Sequence, residues 1–245
     1  MTPGLTAMKN ITIAACLSLY AIGAQAAEIL YWSDIATGVD AMDAALAASS
    51  HTITTASGET DFVTKITAGG WDLVVNFNQN RANDDAVSAT TNWVAGGGKA
   101  IFAHWRPNAG AAFGASYTGK NNITSFSISN PLLATGITNP VGLYNPGWGL
   151  FSLGMAETGG ISAAEFANTN DAIIIGNGDK TIINGFLNDT FVDLAQGQAL
   201  FTNEINYMLP SPAPAALPAA VPEPATMLLA GLGLMSLAAS RRRKN

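Results

Sequence analysis

The chain has 245 residues, with 11 basic against 17 acidic side chains and a single cysteine, Cys16. One thiol close to the N-terminus excludes a disulfide framework and a thiolate metal centre. The charges are segregated, since Lys9, Arg241, Arg242, Arg243 and Lys244 lie at the ends while residues 27–209 hold six basic against sixteen acidic side chains; that acidic middle argues against nucleic acid and anionic lipid as its partners.

Taken from the start, Met8-Lys9-Asn10 is a short basic leader, residues 11–23 are apolar, and Ala24-Gln25-Ala26 is a small-x-small cleavage site. Residues 1–26 therefore read as a secretory signal peptide, which makes the Sec translocon and signal peptidase the first partners and Ala27 the mature N-terminus. Ile13-Ala14-Ala15-Cys16 resembles a lipoprotein box, but it lies too near Asn10 to leave room for an apolar region.

Residues 27–209 are the size of one domain, and their hydrophobic period switches between that of strand and that of helix. Residues 29–32 read as a buried strand, followed by a helix from about Gly38 with Val39, Met42 and Leu46 on one face. Residues 52–54 are a second strand, and Asp61 is placed to cap a short helix over 62–67. Residues 71–77 form the clearest strand. Asp84 or Asp85 would cap the next helix, whose inner face carries Val87, Thr90 and Val94, with Trp93 beside them. That helix ends at Gly96-Gly97-Gly98, a glycine stop, and residues 99–103 are the fourth strand. Further on, residues 125–128, 150–153, 172–175 and 181–183 read as strands, with a hairpin turn at Gly178-Asp179. A closing helix over 197–209 aligns Phe201, Ile205 and Met208. The alternation predicts an α/β fold: a flavodoxin-like three-layer domain with a mainly parallel central sheet.

The strand over 71–77, the helix after it, the Gly96-Gly97-Gly98 turn and the strand ending at His104 resemble the first half of class I glutamine-amidotransferase-like domains. With His rather than Cys after the glycine turn, the segment is similar to the trehalose-utilisation (ThuA-like) members. Asn130-Pro131-Leu132 to Gly136-Ile137, and Asn203-Glu204 on the closing helix, resemble further family segments. The resemblance implies the amidotransferase-like fold. It does not imply amidotransferase chemistry, because the nucleophilic cysteine of that family has no counterpart in residues 27–209.

In an open parallel sheet, ligands sit beyond the carboxyl ends of the strands. The groups that such a topology brings to that rim are Asp34, Asn78, Arg81, His104 and Trp105. A carboxylate, an imidazole, an amide, a guanidinium and an indole face suit hydroxyl-rich ligands. The plainer alternatives are that Asp34 caps the first helix and His104 merely ends a strand. Asp84-Asp85 has no spaced third carboxylate for a cation, and residues 176–180 lack a phosphate-loop pattern. No metal and no cofactor are therefore expected. Tyr144 and Trp148 bracket a turn that could form an aromatic lip, and His51 reads as a surface or packing residue. Two functions stay open: a non-catalytic, matrix-associated protein, or a carbohydrate hydrolase or isomerase using His104 with Asp34 or Glu204.

The C-terminal part is tripartite. Residues 210–220 are a Pro/Ala-rich, semi-rigid linker. Val221-Pro222-Glu223-Pro224 follows, then uncharged residues 225–240, then Arg241-Arg242-Arg243-Lys244. As a helix, 225–240 would cover roughly 24 Å, short of the ~30 Å hydrocarbon core, so the basic end would snorkel and hold the C-terminus in the cytoplasm. The order of proline turn, short apolar helix and basic end resembles the PEP-CTERM sorting signal. That resemblance implies an exosortase-type transpeptidase as partner, a transient stay in the inner membrane, and transfer to the cell surface or the matrix, with exopolysaccharide as a further partner. A plain membrane anchor is the simpler reading of the same residues.

Overall fold

The computed structural model describes residues 26–106, 108–144 and 152–209. Outside them lie Cys16 and all but the last residue of the expected signal peptide, the 145–148 part of the aromatic turn, residues 150–151 of an expected strand, the linker, the sorting segment and the expected span 225–240. Among the described residues, no helix is long and apolar enough to cross a membrane.

The first half alternates strand and helix as its periodicity predicts: β1 Glu28–Ser33, α1 Ala41–Ala47, β2 Thr52–Thr55, α2 Glu59–Ala68, β3 Leu73–Asn78, α3 Asp84–Ala95 and β4 Ala100–His104. β3 and β4 are buried along their whole length, because helices cover both faces. Alternate residues of β1 serve opposite sides. Ile29 and Tyr31 join Met42, Leu46, Phe201 and Ile205 in one core, while Leu30 and Trp32 join Phe62, Ile66 and Ala86 in another.

The second half brings β5 Ala115–Lys120, β6 Ser125–Ile128, β7 Val141–Gly142, β8 Leu153–Glu157, β9 Ile161–Phe166, β10 Asp171–Gly176 and β11 Thr181–Asn184, then α4 Leu194–Met208. β11 returns beside β4, so that β2-β1-β3-β4-β11 form a parallel set in the order of a doubly wound sheet. The expected strands over 125–128, 172–175 and 181–183, and the turn at Gly178-Asp179, are all present, the turn with left-handed backbone at Asn177, Gly178 and Asp179. α4 carries Phe201, Ile205 and Met208 on its buried face. Phe186 stacks on Phe126 at 4.6 Å between ring centroids, and Phe201 meets Phe77 edge-on at 5.3 Å, which ties the two halves into one core.

A mainly parallel sheet is corrected to a mixed one. β10 runs antiparallel to β11, β9 and β8, and β6 runs antiparallel to β7 and β9. The links from β8 through β11 are tight turns, too short for the crossover that a parallel pair needs.

Three helix starts also differ. Asp40, not a residue near Gly38, caps α1: its carboxylate accepts from Met42 N and Asp43 N, each at 3.0 Å, and Val39 is left 60% exposed ahead of the helix. Asp61 lies inside the first turn of α2 and reaches back to Ser57 N at 2.8 Å, while also pairing with Lys65. Neither Asp84 nor Asp85 caps α3. Its N-cap is Asn83, left-handed at φ 47°, and the free N–H groups of Asp85 and Ala86 donate instead to Glu59 Oε1 of α2, at 3.2 and 3.3 Å.

Candidate functional site

The carboxyl ends of β1, β3 and β4 do converge, and all five expected rim residues lie around one loop, residues 79–83. Asp34, just past β1, is the organiser. Its carboxylate accepts from the backbone N–H groups of Gln79, Asn80 and Arg81 and from Asn83 Nδ2, the last two at 2.6 Å each. A carboxylate suits this place because it accepts on every side and loses little solvation when so many donors replace water. Asp34 is therefore no helix cap; it holds the loop that follows β3.

A ladder of amides runs inward from it. Asn83 Nδ2 also reaches Asn78 Oδ1 at 2.9 Å, Asn78 Nδ2 donates to Asn76 Oδ1 at 2.9 Å, and Asn76 Nδ2 donates to Thr90 Oγ1 at 2.8 Å. Asn76, Asn78 and Thr90 are fully buried, so each of these bonds replaces water that cannot reach them.

His104 ends β4 and is 1% exposed. Its Nδ1 accepts from Arg106 N at 2.6 Å, which leaves the proton on Nε2 to donate to Ala82 O at 2.8 Å. Burial lowers its pKa, while the Ala82 hydrogen bond and the charge of Asp34 pull the other way. The imidazole is neutral and both nitrogens are engaged. It shares no hydrogen bond with Asp34 or with Glu204.

Trp105 sends its indole N–H to Arg81 O at 2.9 Å, and the guanidinium of Arg106 lies 5.0 Å from its ring centroid. Arg81 thus enters the network through its backbone, and its exposed guanidinium makes no hydrogen bond among the described residues. The rim presents outward an arginine head and part of an indole. Its imidazole and carboxylate are spent on the loop.

Glu204 lies elsewhere, fully buried on α4 against β11. Asn184 Nδ2 donates to its Oε2 at 3.2 Å, while Glu204 Oε1 and Asn184 Oδ1 have no partner among the described residues. Burial pushes the acid up to about 8, so it is protonated at neutral pH. Among the described residues no cluster of three or more His, Cys, Asp or Glu side chains is arranged to hold a metal. His51 accepts from Ala27 N at 3.3 Å and anchors the start of β1.

The residues that sequence reasoning did not single out are Gln79, Asn83 and Glu59. Gln79 binds the 34–40 loop through Thr37 N and Thr37 O, at 3.2 and 3.0 Å. An Asn directly before an acidic helix start was the available signal for Asn83, since asparagine tolerates left-handed backbone.

Solved structures resemble this fold at low identity. A GMP synthase component from Thermoplasma acidophilum superimposes with a TM-score of 0.51 at 13% identity, over 76% of this chain and 95% of its own. A protein described as ThuA-like from Bacteroides uniformis gives a TM-score of 0.50 at 10% identity, over 77% of this chain and 93% of its own. These matches speak to fold alone. No curated protein matches the chain by sequence. Residues 220–244, which include Val221, Pro222, Glu223, Pro224 and the basic end, match the PEP-CTERM protein-sorting motif. That motif implies an exported protein, held for a time in the membrane and handled by an exosortase.

Proposed function

We propose that residues 27–209 are a non-catalytic module, delivered to the cell surface or matrix and associated there with extracellular polysaccharide. In this reading residues 1–26 are removed by signal peptidase, residues 210–220 space the module from the membrane, and helix 225–240 retains the chain. An exosortase-type transpeptidase then acts at Val221-Pro222-Glu223-Pro224. The observation that carries the non-catalytic part is the saturation of His104: a general base needs a free lone pair within reach of a substrate, and this one accepts from Arg106 N. The absence of a cysteine from residues 27–209 supports the same conclusion for glutamine hydrolysis.

The test has two arms. Glu223→Ala in an exosortase-positive host should block processing and surface delivery, with the circular dichroism of the module unchanged. Unchanged delivery would favour a plain anchor. Purified protein should release no ammonia from glutamine and no reducing sugar from glycans; turnover abolished by His104→Ala would overturn the non-catalytic reading.

A further inference from the structure

At the opposite end of the parallel strands, just ahead of β3 and β4, a cleft of about 500 Å³ is lined by Trp71, Asp72, Asn92, Trp93, Lys99 and Leu209, with the 96–98 glycine turn as part of its wall. It has the size of a small-ligand site. Asn92 and Trp93 also line a second groove of about 470 Å³ between α2 and α3, so the concavity continues past them.

Both indoles are fixed by their edges. Trp71 Nε1 donates to Lys65 O at 2.8 Å and Trp93 Nε1 to Lys99 O at 3.0 Å. Gly98 is required for this, because a Cβ there would lie 2.2 Å from Cε2 of Trp93. What the rings retain for a ligand is apolar surface. The polar groups beside them are of a particular kind. One oxygen of Asp72 accepts from Glu28 N at 2.9 Å and the other has no hydrogen bond among the described residues; the Asn92 amide has none either. Lys99 Nζ is already committed to Met208 O at 2.7 Å.

A ligand matching this cleft must offer apolar faces for two indoles, donors for a carboxylate, and both donors and acceptors for an amide. Pyranose rings do so: their C–H faces stack on aromatic rings, and their hydroxyls donate and accept. A proline-rich strand such as residues 210–218 does not. It offers carbonyl acceptors and few N–H donors, so it would need the indole N–H groups, which are spent, and would leave Asp72 unmatched. A polyanionic glycan is disfavoured by the sixteen acidic against six basic residues of 27–209. We infer that this cleft binds a neutral pyranose chain lengthwise, stacked on Trp71 and Trp93 and hydrogen-bonded by Asp72 and Asn92. The inference supplies a site and a ligand class for the polysaccharide association proposed above, and rests on that reading.

The full-length purified chain is titrated with cellohexaose, maltohexaose, mannohexaose and hexagalacturonate, and with a peptide of residues 209–219, followed by tryptophan fluorescence and calorimetry. At least one neutral hexaose should bind, with hexagalacturonate and the peptide at least about tenfold weaker. Trp71→Ala should weaken that binding about tenfold and Asn92→Ala about fivefold, as expected for a lost stack and a lost hydrogen bond. Asn92 is exposed on α3 and makes no side-chain bond, so its variant should melt like the parent and separates lost binding from lost folding. If the hexaose binds but only Trp105→Ala weakens it, the cleft assignment falls while the polysaccharide reading stands. If no glycan binds the parent protein, both fall. If the peptide binds the cleft as tightly as any hexaose, the cleft is a self-docking groove and the inference is overturned.

Discussion

The two ends of the parallel strands use the same residue types to opposite effect. At the carboxyl end, where doubly wound folds place their ligands, Asp34, Asn78, His104 and the Trp105 indole N–H are bonded to the loop over 79–83 and to one another. At the amino end, Trp71 and Trp93 also send their N–H groups inward, yet they line a cleft beside an uncommitted amide and half of a carboxylate. Composition would rank the first site higher, since it has the imidazole, the carboxylate and the guanidinium. What separates the two is which lone pairs and donors the fold has already used. Binding capacity is the remainder after internal bonding, and here that remainder lies at the end where the fold does not ordinarily present it.

The largest expected effect tests the closed end. Asp34→Ala strips four donors of their acceptor, three of them backbone N–H groups. Asp34 is half-buried, so water recovers part of the loss, and unfolding free energy should fall by about 3 kcal/mol. Asp34→Asn keeps one accepting oxygen and should fall by roughly half as much. Urea denaturation measures both. If Asp34→Ala were as stable as the parent, the loop would not depend on this carboxylate, and the contrast between the two ends would fail.

The end that a sequence can describe is also the less open one. β1, β3 and β4 stand out because burial on both faces leaves near-continuous apolar runs, and α4 because Phe201, Ile205 and Met208 recur at helical spacing. β5 and β9 do not stand out. Ala115-Ser-Tyr-Thr-Gly-Lys120 and Ile161-Ser-Ala-Ala-Glu-Phe166 are half-exposed strands of small and polar residues, and Ile161 is 70% exposed. The positions of Asp34 and His104 at strand ends were legible for the same reason as the strands. Their roles were not, because their partners are backbone groups of residues 79–82 and 106, which carry no side-chain signature. Trp93 read as part of a helix face, and nothing in its spacing shows that Gly98 lets its ring lie against the turn.

A middle-sized effect comes from Glu204, buried between the two ends. Its folded pKa is raised from 4.5 to about 8 by burial, so the folded state holds this proton more tightly than the unfolded chain. The contribution is therefore fully present below about 4.5 and lost as pH rises through about 8, with a slope approaching ~1.4 kcal/mol per pH unit inside that window. Glu204→Gln removes the proton dependence while keeping an oxygen for Asn184 Nδ2. The variant should be the more stable by about 2 kcal/mol at pH 8 and nearly equal to the parent at pH 5. His104 works in the opposite sense: its pKa is lowered from 6.5, so its contribution is present above that value and declines as pH falls through the folded value. An acid limb should persist in Glu204→Gln. Parallel stability–pH curves for parent and variant would remove Glu204 as the source of the alkaline slope.

The smallest effect examines how α3, which joins the two ends, is started. Its N-cap Asn83 makes no side-chain bond to the helix, because its amide is directed to Asp34 and Asn78 at the closed end. The vacated cap is filled from outside by Glu59, whose Oε1 accepts from Asp85 N and Ala86 N. A carboxylate at that position also meets the positive end of the helix dipole. Glu59→Ala should cost about 1 kcal/mol, as a lost N-cap does, and Glu59→Gln less, since the amide oxygen still accepts but without the charge. Salt sharpens the assignment: at 1 M sodium chloride the difference between the parent and Glu59→Gln should shrink while the cost of alanine largely persists, because screening removes the dipole term and leaves the hydrogen bonds. Equal stability of all three proteins in low salt would mean that water caps α3, and that the diversion of Asn83 to the closed end costs the helix nothing.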